Sequence, residues 1–230
     1  MPFAEVFFNS LTEISDYEKI DRVFVIDTGI NKNDQKKLSQ LCNKLVICQT
    51  NTAVPNAALH TEKWREIVGM KLRSLLRIIK VMDHIYPLCM IDIDSYFNKN
   101  FLHEVDTDVD FVVCKRSTPM INNDNYVLTH IGSFFCVNNR TAVKFLDSWM
   151  REMNDIQGDH IETPALCNLL KDIEKHDKFK IQHAEQDIVS AVNFTEKCCI
   201  FHLKSDGPGL GSSTEYRLNK LKPHLAGRHV

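Results

Sequence analysis

Short apolar runs and amphipathic stretches alternate along this chain of 230 residues. Arg22-Val23-Phe24-Val25-Ile26-Asp27 is a β-branched run closed by the turn signal Thr28-Gly29, which predicts a first strand. Residues 31–42 carry Leu38 and Leu41 on one side and read as a helix, and residues 45–48 read as a second strand. From 61 to 84, Trp64, Val68, Leu72, Leu75, Leu76, Ile79 and Met82 recur at three- and four-residue steps, the period of a long amphipathic helix. The pattern stops before Pro87, and Leu88-Cys89-Met90-Ile91 is a wholly apolar strand aimed at Asp92. Two more strands are expected at 110–114 and 133–137. Asn139 suits the N-cap of a helix through Val143, Phe145, Leu146, Trp149 and Met150, and Thr163-Pro164 suits the start of the next. Residues 184–193 read as a short helix, and 199–202 as a last strand before a glycine-containing loop at 204–213.

Strands alternating with helices predict an α/β class, with a mostly parallel central sheet flanked by helices in one domain over 1–230. In such sheets ligands sit beyond the carboxyl ends of the strands. Asp27, Asp92 and His202 each close an expected strand there, from three distant parts of the chain.

Composition narrows the function classes. Hydrophobic residues are 43% and charged residues 25% of the chain, and no stretch approaches the roughly 18 apolar residues of a membrane span. The net charge of −2 lacks the basic excess of a general nucleic-acid binder. The eight cysteines form no CxxC pair, and most lie inside apolar runs as small hydrophobes. With no basic or apolar leader in Met1-Pro2-Phe3-Ala4-Glu5, they favour a reducing, cytoplasmic setting, for the chain itself or as a domain of a larger enzyme.

The candidate chemistry centres on Asp92-Ile93-Asp94. Two carboxylates directly after a buried strand are costly unless something compensates their charge. Alternate residues at a strand end point the same way, so both can converge on one cation. Hard carboxylate oxygens suit Mn²⁺ or Mg²⁺, and a diphosphate completes the coordination. A second signal is His202-Leu203-Lys204-Ser205-Asp206-Gly207, in which an imidazole ligand, a phosphate-neutralising ammonium and close-approaching backbone follow one another. The isolated His130, His160, His176 and His183 read as non-ligands, and the polar segment 118–125 as a loop able to cover an acceptor.

These motifs resemble nucleotide-sugar-dependent glycosyltransferases of the GT-A fold, over about Arg22 to Gly207. A similar compact domain occurs in multidomain glycosyltransferases of large algal viruses. The resemblance implies that Asp27, Thr28 and Gly29 belong to the first nucleotide-holding unit, and that Lys71 meets the donor. It implies that Asp94 and His202 hold the metal, with Asp92 on the metal or the ribose. Lys204 and Gly207 then meet the diphosphate. Residues 1–115 would form the nucleotide-binding part, 116–211 the acceptor side and 212–230 a C-terminal tail. Gly132-Ser133-Phe134-Phe135 resembles the acceptor-side segment, without the Asn-Ser-Gly of some retaining families. The implied reaction moves a sugar from a nucleoside-diphosphate sugar, by base rate a UDP-sugar, to a glycan or other hydroxyl acceptor. An inverting enzyme needs a carboxylate base at that hydroxyl, for which Asp187 and Glu185 are the candidates. Two rivals are an aspartyl-nucleophile phosphohydrolase and a non-catalytic nucleotide-sugar binder. The first expects Thr or Val two residues after the second aspartate, where Tyr96 stands.

Overall fold

The apolar runs do become strands. The structure, a computed structural model, describes residues 1–50, 61–82, 87–115, 129–157, 161–176, 179–184, 188–190, 194–203 and 213–224. The chain begins with helix α1 (Pro2–Glu13), then strand β1 (Val23–Asp27), helix α2 (Lys32–Leu41) and strand β2 (Leu45–Gln49). Helix α3 (Glu62–Val81) leads to β3 (Leu88–Ile91), β4 (Ser95–Phe97), β5 (Phe111–Lys115) and β6 (Thr129–Cys136). Helices α4 (Asn139–Asp155) and α5 (Glu162–His176) follow, then β7 (Ile181–Ala184), β8 (Val189–Ser190), β9 (Ile200–His202) and helix α6 (Thr214–Asn219).

The mixed α/β class is as expected, but the described strands do not form a mostly parallel sheet. Strands β1 and β2 pair in parallel. The larger sheet runs β3-β6-β5-β7, with β6 antiparallel to both neighbours and β5 parallel to β7. A third sheet, β4-β9-β8, pairs β4 antiparallel and β8 parallel to β9. An apolar run such as Phe111-Val112-Val113-Cys114 has no direction written into it, which is why alternation with helices over-predicted parallel pairing. The helix expected at 184–193 is also corrected: Ala184 ends β7 and Val189–Ser190 form β8.

The α3 pattern is realised as read, with Thr61 as N-cap accepting the Trp64 N–H and Val68, Leu72, Leu75, Leu76 and Ile79 buried. With Phe111 and Val113 of β5 and the faces of α4 and α5, they form the first core. Val112 and Cys114, alternating to the other face, join α1, α2 and Phe97 in the second. Helix α1 was not anticipated, although Ala4, Phe7, Phe8 and Leu11 are spaced for one apolar face and all are buried. A third cluster joins Tyr96, Phe201 and Leu203 to Leu218 and Leu221 around α6.

Six of the eight cysteines are buried and all are free; Cys48 is half-buried and Cys89 exposed. Burial pushes the Cys136 thiol up to about 12, so it stays protonated and behaves as packing.

Phe145 stacks on Phe111 with ring centroids 4.3 Å apart and meets Trp149 and Phe179 edge-on. Phe145→Ala is expected to lower stability by about 4 kcal/mol, because three rings cannot collapse into the vacated volume. Urea unfolding checks this; a loss under about 1.5 kcal/mol would mean that the aromatic layer repacks.

Candidate functional site

The site is built by strand register. Strand β3 ends at Ile91, the chain leaves the larger sheet through Asp92-Ile93-Asp94, and β4 enters the third sheet at Ser95. Ser95 pairs with His202 across β4 and β9, and the Leu203 N–H donates to the Asp94 carbonyl at 2.7 Å. That pairing sets the buried His202 beside the acidic motif. His202 Nε2 lies 3.1 Å from Asp94 Oδ1 and 3.9 Å from Asp92 Oδ2. One ligand atom from each of the three residues lies within 4.8 Å of the others. Two carboxylates and an imidazole are thus brought together at adjoining strand ends, an oxygen and nitrogen donor set of the kind that can hold a metal ion.

Each aspartate also meets a cation. Lys71, on α3, places its Nζ 3.1 Å from Asp92 Oδ1 and 2.7 Å from Glu162 Oε1. Burial alone would lower the Lys71 pKa, but the Asp92 and Glu162 carboxylates more than reverse this and hold it above the usual lysine range. The ammonium therefore stays charged. Glu162 opens α5, is buried, and has its backbone carbonyl accepting the Trp149 indole N–H at 3.1 Å. Arg217, on α6, donates to Asp94 Oδ2 and to the Leu203 carbonyl. Its guanidinium lies over the Phe3 ring, 4.4 Å from the centroid.

Asp92 thus turns Oδ1 to Lys71 and Oδ2 toward His202, while Asp94 turns Oδ2 to Arg217 and Oδ1 toward His202. Neither Glu162 nor Arg217 stood out in the sequence. A glutamate in a first helical turn and an arginine in a last one read as ordinary end stabilisation.

Asp27, Thr28 and Gly29 do form the turn after β1. Gly29 has φ 130°, a left-handed conformation that suits glycine. Asp27 Oδ1 accepts the N–H groups of Gly29 and Ile30 at 2.8 and 2.6 Å, and Oδ2 accepts from the Gln35 amide at 2.8 Å. Burial pushes the Asp27 pKa up, yet these donors hold it below the ordinary aspartate value. Its carboxylate therefore organises the turn from within. Glu185, Asp187, Lys204 and Gly207 lie outside the described residues, as do His160 and the segment 118–125.

No family model and no curated protein matches the chain. Solved structures do share its fold. A glycosyltransferase involved in the glycosylation of the major capsid of PBCV-1 aligns with TM-score 0.52 at 10% identity, over 88% of this chain and 99% of that one. A nucleoside-diphosphate-sugar pyrophosphorylase from Vibrio cholerae RC9 aligns with TM-score 0.51 at 15% identity, over 80% of this chain and 79% of that one. At these identities the likeness is one of architecture.

Lys71→Met leaves Asp92 and the buried Glu162 without their shared cation and is expected to cost on the order of 3 kcal/mol. Adding Glu162→Gln to that variant should recover a large part of the loss, a coupling that a double-mutant cycle in urea measures directly. Asp27→Ala should cost about 2 kcal/mol at neutral pH, through loss of hydrogen bonds to a charged acceptor. The native Asp27 pKa lies below the unfolded value of about 3.9, so this stability is complete above that value. It is lost as pH falls through the native pKa, and the gap between wild type and variant should close in acid. Unfolding midpoints that stay equally separated at low pH would show that the turn does not use the charge.

Proposed function

We propose that this chain is a metal-dependent glycosyltransferase, moving a sugar from a nucleoside-diphosphate sugar, by base rate a UDP-sugar, to a hydroxyl acceptor such as a glycan. The reading is carried by the convergence of Asp92 and Asp94, from the link between β3 and β4, with His202 at the end of β9, in a fold shared with a glycosyltransferase and a nucleoside-diphosphate-sugar pyrophosphorylase. In this reading Asp94 and His202 hold a divalent ion, Mn²⁺ or Mg²⁺, and Asp92 assists. When bound, the ion offsets the negative charge that develops on the departing diphosphate.

The rest of the work falls to side chains. Lys71 orients Asp92, and Glu162 keeps Lys71 in place. Lys204 neutralises phosphate, and Gly207 lets backbone approach it. The acceptor oxygen attacks the anomeric carbon, the bond from that carbon to the diphosphate oxygen breaks, and the acceptor proton leaves to a base. For an inverting outcome Asp187 or Glu185 takes that proton. Glu162 suits this role poorly, because a carboxylate ion-paired at 2.7 Å is a weak base. The turn at Asp27, Thr28 and Gly29 belongs to a nucleotide-binding part over about 1–115, with the acceptor side at 116–211 in the same domain. No described helix is long and apolar enough to cross a membrane. The free buried thiols support a reducing, cytoplasmic setting.

The Vibrio cholerae neighbour favours one second reading, nucleotidyl transfer. The two reactions release different products: a nucleoside diphosphate in the first, pyrophosphate in the second.

A thermal-shift screen of nucleotide sugars should give stabilisation that needs Mn²⁺ and is abolished by EDTA. In the turnover assay, release of nucleoside diphosphate with a glycosylated acceptor is expected. Asp94→Ala should lose at least about 100-fold in kcat/KM, roughly 3 kcal/mol of transition-state stabilisation. Full activity in that variant, or stabilisation indifferent to metal, would sink the assignment.

A further inference from the structure

We propose that Arg217 is a positioning residue for Asp94, supplied by the C-terminal helix α6, and that it serves Asp94 as Lys71 serves Asp92. The inference rests on the metal-dependent reading above. It starts from the division of labour among the carboxylate oxygens. Asp92 gives Oδ1 to Lys71 and Asp94 gives Oδ2 to Arg217. The other oxygen of each lies toward the same atom, His202 Nε2, at 3.9 and 3.1 Å. A carboxylate swings about two side-chain torsions. Fixing one oxygen to a cation fixes the direction of the other.

For that to work the cation must itself be held. Arg217 is held on three sides. It donates to the Leu203 carbonyl as well as to Asp94. The face of the guanidinium rests on Phe3 of α1. The helix that carries it packs Leu218, with Leu221 just beyond, into the cluster of Tyr96, Phe201 and Leu203. Leu203 closes the loop, since its N–H donates to the Asp94 carbonyl. The planar, permanently charged guanidinium thus joins the strand end, the acidic motif and α6 in one fixed arrangement, which a flexible ammonium would reproduce only in part. Outer groups that orient ligating carboxylates typically govern metal affinity by 10–100-fold.

The opposite role is also physically definite. A cation on Asp94 could compete with a divalent ion for the carboxylate, in which case removing it would tighten metal binding. Direct Mn²⁺ binding, followed by electron paramagnetic resonance with UDP present and no acceptor, separates the two without turnover. Arg217→Gln is expected to weaken Mn²⁺ binding by roughly 10–100-fold and Arg217→Lys to recover part of it. In a second arm, hydrogen exchange of the α6 amides should quicken in both Arg217→Gln and Asp94→Asn, because each breaks the same charge pair, while exchange in α4 stays unchanged and reports an intact fold. Mn²⁺ binding by Arg217→Gln that equals or exceeds the wild type would overturn the proposal, and so would α6 exchange indifferent to Asp94→Asn. A wild type that binds no Mn²⁺ would reject the functional reading itself, and the exchange arm alone would then decide whether Arg217 holds Asp94.

Discussion

The antiparallel register that sets Ser95 against His202 is the constraint on which the site depends. Strand β4 is only three residues long, and β9 likewise, so the pairing has little length of its own to define it. Its register is fixed by burial on both faces. Phe97 and Ile200 are packed into the core around α1, while Tyr96 and Phe201 are packed into the cluster around α6. A slip of one residue would exchange these two sets and turn His202 away from Asp94. The chemistry is thus positioned by ordinary hydrophobic packing, and the polar groups inherit a geometry they could not hold alone.

Charge is managed by division. Asp92, Asp94 and Glu162 bring three carboxylates into a partly buried region, and Lys71 and Arg217 answer two of those charges. The two cations come from helices on different cores, α3 from the first and α6 from the third. Asp27 handles the same problem locally. Its carboxylate is satisfied by two backbone N–H groups and one side-chain amide within eight residues, so no distant partner is required.

Much of this was legible in the sequence. The α3 period placed Lys71 on a long helix just before an apolar strand, and the apolar run through Ile91 made Asp92 and Asp94 conspicuous. His202 was legible as the polar end of a last apolar run. Strand direction was hidden, because Val and Phe pack equally well in either sense. The stretch from Ala184 to Ser190 has buried residues at 184, 188, 189 and 190, which fits a helix as well as two short strands; pairing of β7 with β5 and of β8 with β9 decides it. Arg217 was hidden for a different reason. Its partner lies more than a hundred residues away, and nothing local distinguishes it from the other basic residues near it.

The long reach between these partners also orders events in time. A chain emerging from the ribosome exposes Lys71, Asp92 and Asp94 well before His202, and Arg217 follows later still. During that interval Asp94 lacks Arg217, and α1 has no α6 to rest on. Strand β3 cannot find β6 until the intervening residues are made. The site is therefore among the last parts to become whole. Distant pairings of this kind close only after long loops do, which leaves the apolar runs that later form the core exposed early.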